Sequence, residues 1–172
     1  MKLALTVMIL LLVLSSTAHA EDTQKVTVTW SPIHLVLPVV ELEAEFSPAP
    51  HVGGAVILGA GQVSNESETI TATVYEAGLQ FNYYFMDNFS GLHAGAEVVY
   101  AHVGGVDQDA TATGLGLSAG PYGGYKLLTS IGFTFVAQLG AQVVHISAEN
   151  STDMKSENKV GVLLNLNIGW SF

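Results

Sequence analysis

From Lys159 to Phe172 the chain alternates with a period of two. Val160, Val162, Leu164, Leu166, Ile168, Trp170 and Phe172 fall on one face, and Lys159, Gly161, Asn165, Asn167, Gly169 and Ser171 on the other, with Leu163 the one apolar exception. A period of two over this length requires an extended strand. The apolar face is too long, and too aromatic at its end, for the half-buried strand of a soluble domain. Hydrocarbon on one side and polar groups on the other meet the requirement, and a spanning β-strand has both.

The N-terminus sets the compartment. Lys2 precedes an apolar run from Leu3 to Leu14, and Ala18-His19-Ala20 follows as a small-x-small cleavage site. This pattern predicts a secretory signal peptide over 1–20 and a mature barrel domain over 21–172. The run is shorter than the roughly 20 residues that a membrane-spanning helix needs. The chain contains no cysteine, so disulfide and thiolate chemistry are excluded. Five Lys plus Arg residues stand against 15 Asp plus Glu, a formal net charge of −10, which excludes nucleic acid as a partner.

Eight segments read as strands: Gln24 to Ser31, Val39 to Phe46, His51 to Val63, Ile70 to Phe85, Gly91 to Val103, Thr113 to Leu127, Ile131 to Ser147 and Lys159 to Phe172. Eight strands of about 9 to 11 residues plus turns use up the mature length. The predicted fold class is therefore all-β, an eight-stranded antiparallel transmembrane up-and-down β-barrel. The connections Ser47-Pro48-Ala49-Pro50, Met86 to Ser90 and Leu128-Thr129-Ser130 are short. Those at Ser64 to Thr69, Gly104 to Ala112 and Ala148 to Asn158 are longer and polar. Short turns are periplasmic in such barrels, which places both termini in the periplasm of a Gram-negative cell envelope. On the outward parity, Phe46, Tyr83, Phe85, Tyr125, Phe133, Trp170 and Phe172 gather at the short-turn level, with Trp30, Tyr75 and Tyr100 opposite. A soluble β-sandwich has no reason to arrange aromatics in this way. The segment Pro32 to Pro38 is apolar where an outer loop is expected, and it reads either as an apolar hairpin or as an extension of the first two strands.

Inward parity carries many glycines together with Glu41, Glu43, Glu45, Glu76, Glu97 and Lys126. An eight-stranded barrel has an interior just wide enough for side chains, and carboxylates there need partners. These six residues are expected to form a lumen network that fills and registers the barrel. A proton pathway or a carboxylate metal cluster is the alternative, although no spacing selects a metal. No cofactor is expected. Asp107-Gln108-Asp109 begins a calcium-loop spacing but lacks the rest of that pattern.

His145 and Ser147 share the outward parity where the seventh strand leaves the bilayer, followed by Glu149. Histidine beside serine, oriented by a carboxylate, is the arrangement of an acyl hydrolase. It resembles the His-x-Ser motif of the outer-membrane lipid A deacylases. Ala148 stands where that family has Asn, and Lys159 where its last strand supplies Glu, which leaves Glu149 and Glu157 as nearest candidates.

The whole mature chain resembles the small eight-stranded outer-membrane proteins, the OmpA transmembrane domain and OmpX-like group. The runs Leu37 to Glu45 and Ala119 to Tyr125 are similar to an uncharacterised family of such barrels. The resemblance implies that Leu166, Ile168, Trp170 and Phe172 form an assembly signal read by the barrel assembly machinery. It also implies periplasmic chaperones as partners, with outer-membrane lipids and lipopolysaccharide as surroundings. The leading expectation is a non-enzymatic structural or surface-interaction barrel. A lipid A-modifying acyl hydrolase and a narrow channel are the alternatives.

Overall fold

A computed structural model describes residues 24–36, 39–64, 71–86, 89–107, 110–150 and 153–172. The segment 1–20, read as a signal peptide, lies outside the described residues, as do Glu66, Glu68 and Asp109. Eight strands form one closed antiparallel barrel in chain order: β1 (Val26–Trp30), β2 (Val39–Ala49), β3 (Val52–Ser64), β4 (Thr71–Tyr84), β5 (Gly91–Asp107), β6 (Ala110–Leu128), β7 (Phe133–Asn150) and β8 (Asp153–Ser171). A one-turn 3-10 helix, Ile33–Val36, lies between β1 and β2.

The barrel closes where β8 meets β1, with Thr27 opposite Ser171 and Trp30 opposite Ile168. Phe172 extends this seam through its backbone. Its N–H donates to the Val26 carbonyl at 2.8 Å, and its own carbonyl accepts from the Lys25 N–H at 2.8 Å. Closure pairs the β8 edge from Ile168 to Phe172, the level at which β1 runs alongside it.

Alternation then divides the residues between two environments. Leu58, Tyr75, Leu79, Phe81, Leu139 and Val162 are exposed on the outside, while Thr27, Glu43, Gln80, Asn82, Thr134 and Asn167 are buried within. Leu163, which breaks the pattern of the last strand, points inward and is 2% exposed, as Ile57 is. The interior is thus polar with apolar filling at intervals. Phe46, Tyr83, Phe85, Tyr125, Phe133, Trp170 and Phe172 are all exposed at the end that carries the short turns. Phe133 packs edge-on against Trp170 across the β7–β8 pair at 6.4 Å between ring centroids.

Two of the long loops read from sequence are mostly strand. β5 and β6 stay paired up to Asp107 opposite Ala110, and β7 and β8 up to Asn150 opposite Asp153. The described residues of Gly104 to Ala112 and of Ala148 to Asn158 are therefore hairpin arms. The physical reason is that polar composition marks exposure to water and does not end a ladder whose next backbone pair is already aligned. Pro32 to Pro38 is neither of the forms expected, since its described part winds into the 3-10 turn.

Large side chains cross the lumen only where the facing strand yields space. A side chain at Gly95 would strike the Phe81 carbonyl and the Tyr122 ring, and one at Gly53 would meet the Glu45 carboxylate and the Tyr84 ring. Gly132, at a φ of +93° in the β6–β7 turn, has the conformation that favours glycine. We expect Gly95→Val to displace Tyr122 and lower stability by about 1 to 3 kcal/mol, the usual cost of overpacking. Urea unfolding of the detergent-folded protein, followed by tryptophan fluorescence, checks this. Adding Tyr122→Ala to Gly95→Val should restore part of the loss, whereas Tyr122→Ala combined with native Gly95 should not gain.

Candidate functional site

At the short-turn end, Lys126 of β6 is 1% exposed. Its ammonium donates to Glu45 Oε2 at 2.9 Å and to Thr27 Oγ1 at 2.7 Å. Phe89, from the β4–β5 turn, folds over it with its ring centroid 3.3 Å from Nζ, and Phe89 is itself buried. The other oxygen of Glu45 accepts from Asn82 Nδ2 and from the Tyr84 hydroxyl, both at 2.7 Å. Thr27, Ser171 and Thr134 continue the chain of hydroxyls at 2.7 Å per step. A buried ammonium thus has a carboxylate, a hydroxyl and an aromatic face around it, as a charge withdrawn from water requires.

The network runs on through Tyr122, whose hydroxyl donates to Asn82 Oδ1 at 2.7 Å and lies 3.1 Å from Gln80 Oε1. The Gln80 amide donates to Glu97 Oε2 at 2.6 Å. Asn165 donates to the same oxygen and to Gln138 Oε1, each at 3.0 Å. Glu45, Glu97 and Lys126 therefore belong to one network. Among the described residues Glu43 accepts from Asn167 Nδ2 at 2.8 Å. Glu41 and Glu76 form a further group, nearer the other end, with a histidine that no sequence period assigns to a face. His34 of the 3-10 turn points into the barrel, and its Nδ1 lies 3.2 Å from Glu41 Oε1. The contact to Glu41 raises the His34 pKa above its ordinary value, against the lowering effect of burial. The signal available in the sequence was a single polar residue inside an apolar, proline-flanked segment.

On the outside, at the far end of β7, the His145 ring stands between two strands. Its Nε2 lies 3.2 Å from Ser147 Oγ and equally 3.2 Å from Ser156 Oγ of β8. Its Nδ1 lies 2.7 Å from Asn158 Oδ1. When Asn158 accepts from Nδ1–H, Nε2 keeps its lone pair for a hydroxyl proton, which is the tautomer a general base needs. Asn158 thus occupies the orienting place for which Glu149 and Glu157 were the candidates. It faces His145 directly across the β7–β8 pair, a register the sequence alone did not reveal. Glu157 instead pairs with Lys159 at 3.1 Å. Leu115 and Leu117 of β6, opposite Ser147 and His145, are exposed apolar neighbours. Leu166, Ile168, Trp170 and Phe172, expected from sequence to form an assembly signal, all take the outward parity, the last two exposed.

No protein-family model matches the chain, and neither does any curated protein sequence. Among solved structures it is similar to a major outer membrane protein from Thermus thermophilus, at 12% identity and a TM-score of 0.44, over 86% of this chain and 98% of that one. A likeness this distant carries no statement about activity.

The two described lysine–carboxylate pairs differ in environment, and burial decides their worth. Lys126→Met leaves Glu45 buried without its cation, which costs about 3 to 5 kcal/mol. Lys159→Met removes a surface pair worth at most about 1 kcal/mol. The temperature at which the folded band is lost in semi-native electrophoresis should fall sharply for the first variant and stay nearly constant for the second.

Proposed function

We propose that the chain is an outer-membrane β-barrel with both termini periplasmic and a structural or surface-interaction role. The observation that carries this reading is the exterior. A continuous apolar surface, bounded by aromatics near the short turns, encloses a polar interior, the reverse of a water-soluble domain. Among the described residues no helix is long and apolar enough to cross a membrane, so the strands would do so. The short turns then lie in the periplasm, and the arms Gly104 to Ala112 and Ala148 to Asn158 extend outside. Lipids and lipopolysaccharide would cover the belt, and the assembly machinery and periplasmic chaperones would handle the chain before insertion. The filled interior argues against a narrow channel, because Phe89, Lys126, Tyr122 and Gln80 occupy its width in succession.

One observation favours a second reading, a lipid A acyl hydrolase, namely the contact of His145 with Ser147 and Asn158. Hydrolysis also needs donors for the oxyanion. β7 is paired on both edges at this level, so its amides are committed to the ladder. Two serines also compete for one ring nitrogen. The structural role is therefore the better supported of the two.

Two measurements test these readings. Membrane-impermeant thiol reagent added to intact cells should label Glu157→Cys and leave Ser130→Cys unlabelled, and the opposite result would invert the topology. Purified protein in lipopolysaccharide micelles should release no fatty acid, with Ser147→Ala indistinguishable from the parent by lipid A mass spectrometry. Release by the parent that disappears in Ser147→Ala, and not in Ser156→Ala, would establish the hydrolase instead.

A further inference from the structure

His34, Glu41 and Glu76 come from three separate elements, the 3-10 turn, β2 and β4, and meet inside the barrel toward the end opposite the short turns. One donor atom of each lies within 4.8 Å of the other two. The pair His34 Nδ1 and Glu41 Oε1 is 3.2 Å apart. Two ligands at the usual zinc distances in a tetrahedron stand about 3.4 Å apart, so this edge already has the right length. Modest contraction brings the third donor to the same point.

Four described buried side-chain atoms lack a hydrogen-bond partner: Thr29 Oγ1, Asn167 Oδ1, His34 Nδ1 and Glu76 Oε2. Two of the four belong to this one cluster, and both are ligand atoms. His34 Nδ1 stands 3.2 Å from Glu41 Oε1, an ion pair when the imidazole is protonated, so Glu76 Oε2 is the ligand atom of the cluster left without a partner. A buried carboxylate oxygen left in this way is costly, and a cation between Glu76, Glu41 and His34 would satisfy it.

Gly59 supplies the space. It sits between Glu41 and Glu76 in the register, and a Cβ there would meet Glu76 Oε2 at 2.7 Å. The Glu76 carboxylate therefore leans across the glycine toward Glu41. Charge points the same way. Among the described residues the inward carboxylates are Glu41, Glu43, Glu45, Glu76 and Glu97, against one inward buried ammonium, Lys126, which is bound to Glu45 at the opposite end.

We propose that His34, Glu41 and Glu76 bind one divalent first-row transition metal ion, Zn²⁺ being the representative case. The imidazole nitrogen selects against calcium and magnesium, which take mainly oxygen shells. Three protein ligands leave a fourth position for water. The metal would tie the 3-10 turn to β2 and β4, so it would hold the turn across the barrel end.

The full mature chain, folded in detergent and stripped with EDTA, is titrated with ZnCl₂ by calorimetry, and with CoCl₂ while visible d–d absorption is followed. The parent should bind one Zn²⁺ and give a Co²⁺ spectrum. His34→Ala and Glu76→Gln should each weaken binding by roughly tenfold or more, the scale on which changes at metal sites act. Gly59→Ala should weaken it as well, while His145→Ala should leave it unchanged, and CaCl₂ should not compete. Heat-modifiable migration identifies the folded variants. Glu76→Gln, which keeps size and shape, decides the matter if His34→Ala does not fold. No Zn²⁺ binding by the parent overturns the proposal. So does binding that survives Glu76→Gln unchanged, or binding that disappears only in His145→Ala.

Discussion

The Glu45 carboxylate and the Lys126 ammonium, 2.9 Å apart inside the barrel, are the interaction on which the interior depends. Glu45 stands on β2, Lys126 on β6, and their direct partners Asn82, Tyr84 and Thr27 on β4 and β1. Four strands are thereby joined through two charges. Neither charge is tolerable alone in a space of this dielectric, and the pair needs its remaining donors and acceptors satisfied as well. The surrounding hydroxyls and amides do this, and Phe89 excludes water from the end of the barrel. A slip of one residue in any of these strands would put its polar members on the apolar exterior, so the network also holds the register.

The same narrowness explains the glycines. A lumen one side chain wide accepts Tyr84, Tyr122 and His93 only if the facing positions are nearly empty, and Gly53, Gly95 and Gly124 are the positions that yield. Large and small residues alternate across the interior for a volumetric reason. Their hydroxyls and amides then fall within hydrogen-bond reach of one another.

The two ends of the barrel differ. The short-turn end is closed by Phe89 over a satisfied ion pair. The other half contains Glu41 and Glu76 with His34 paired to Glu41, and there Glu76 Oε2 lacks a hydrogen-bond partner. Among the described residues, Glu76 Oε2 is the one buried carboxylate oxygen without a hydrogen-bond partner. That contrast, more than any one distance, points to a cation there.

The alternation of β8, and the repetition of that pattern in seven earlier segments, determined the fold class from sequence alone. Period two is a local property of the backbone, and it survives whatever the neighbours are. The inward parity of Glu41, Glu43, Glu45, Glu76, Glu97 and Lys126 was legible for the same reason, and so was the outward parity of His145 and Ser147. Which inward residues touch was not legible, because contacts across a barrel depend on the shear between strands. Hence the direct partners of Glu43 (Asn167) and of Glu41 (His34) could not be read in advance. Hence also Asn158, on the strand after Ser147, reached His145 through the β7–β8 register, and the polar hairpin arms stayed paired where composition suggested loops. His34 was hidden for a further reason, since a proline-flanked apolar turn has no period to assign it a face. Sequence determined which solvent each side chain meets, because that follows from the backbone period. Tertiary structure decided which side chains meet each other, because that follows from how eight strands slide past one another before they close.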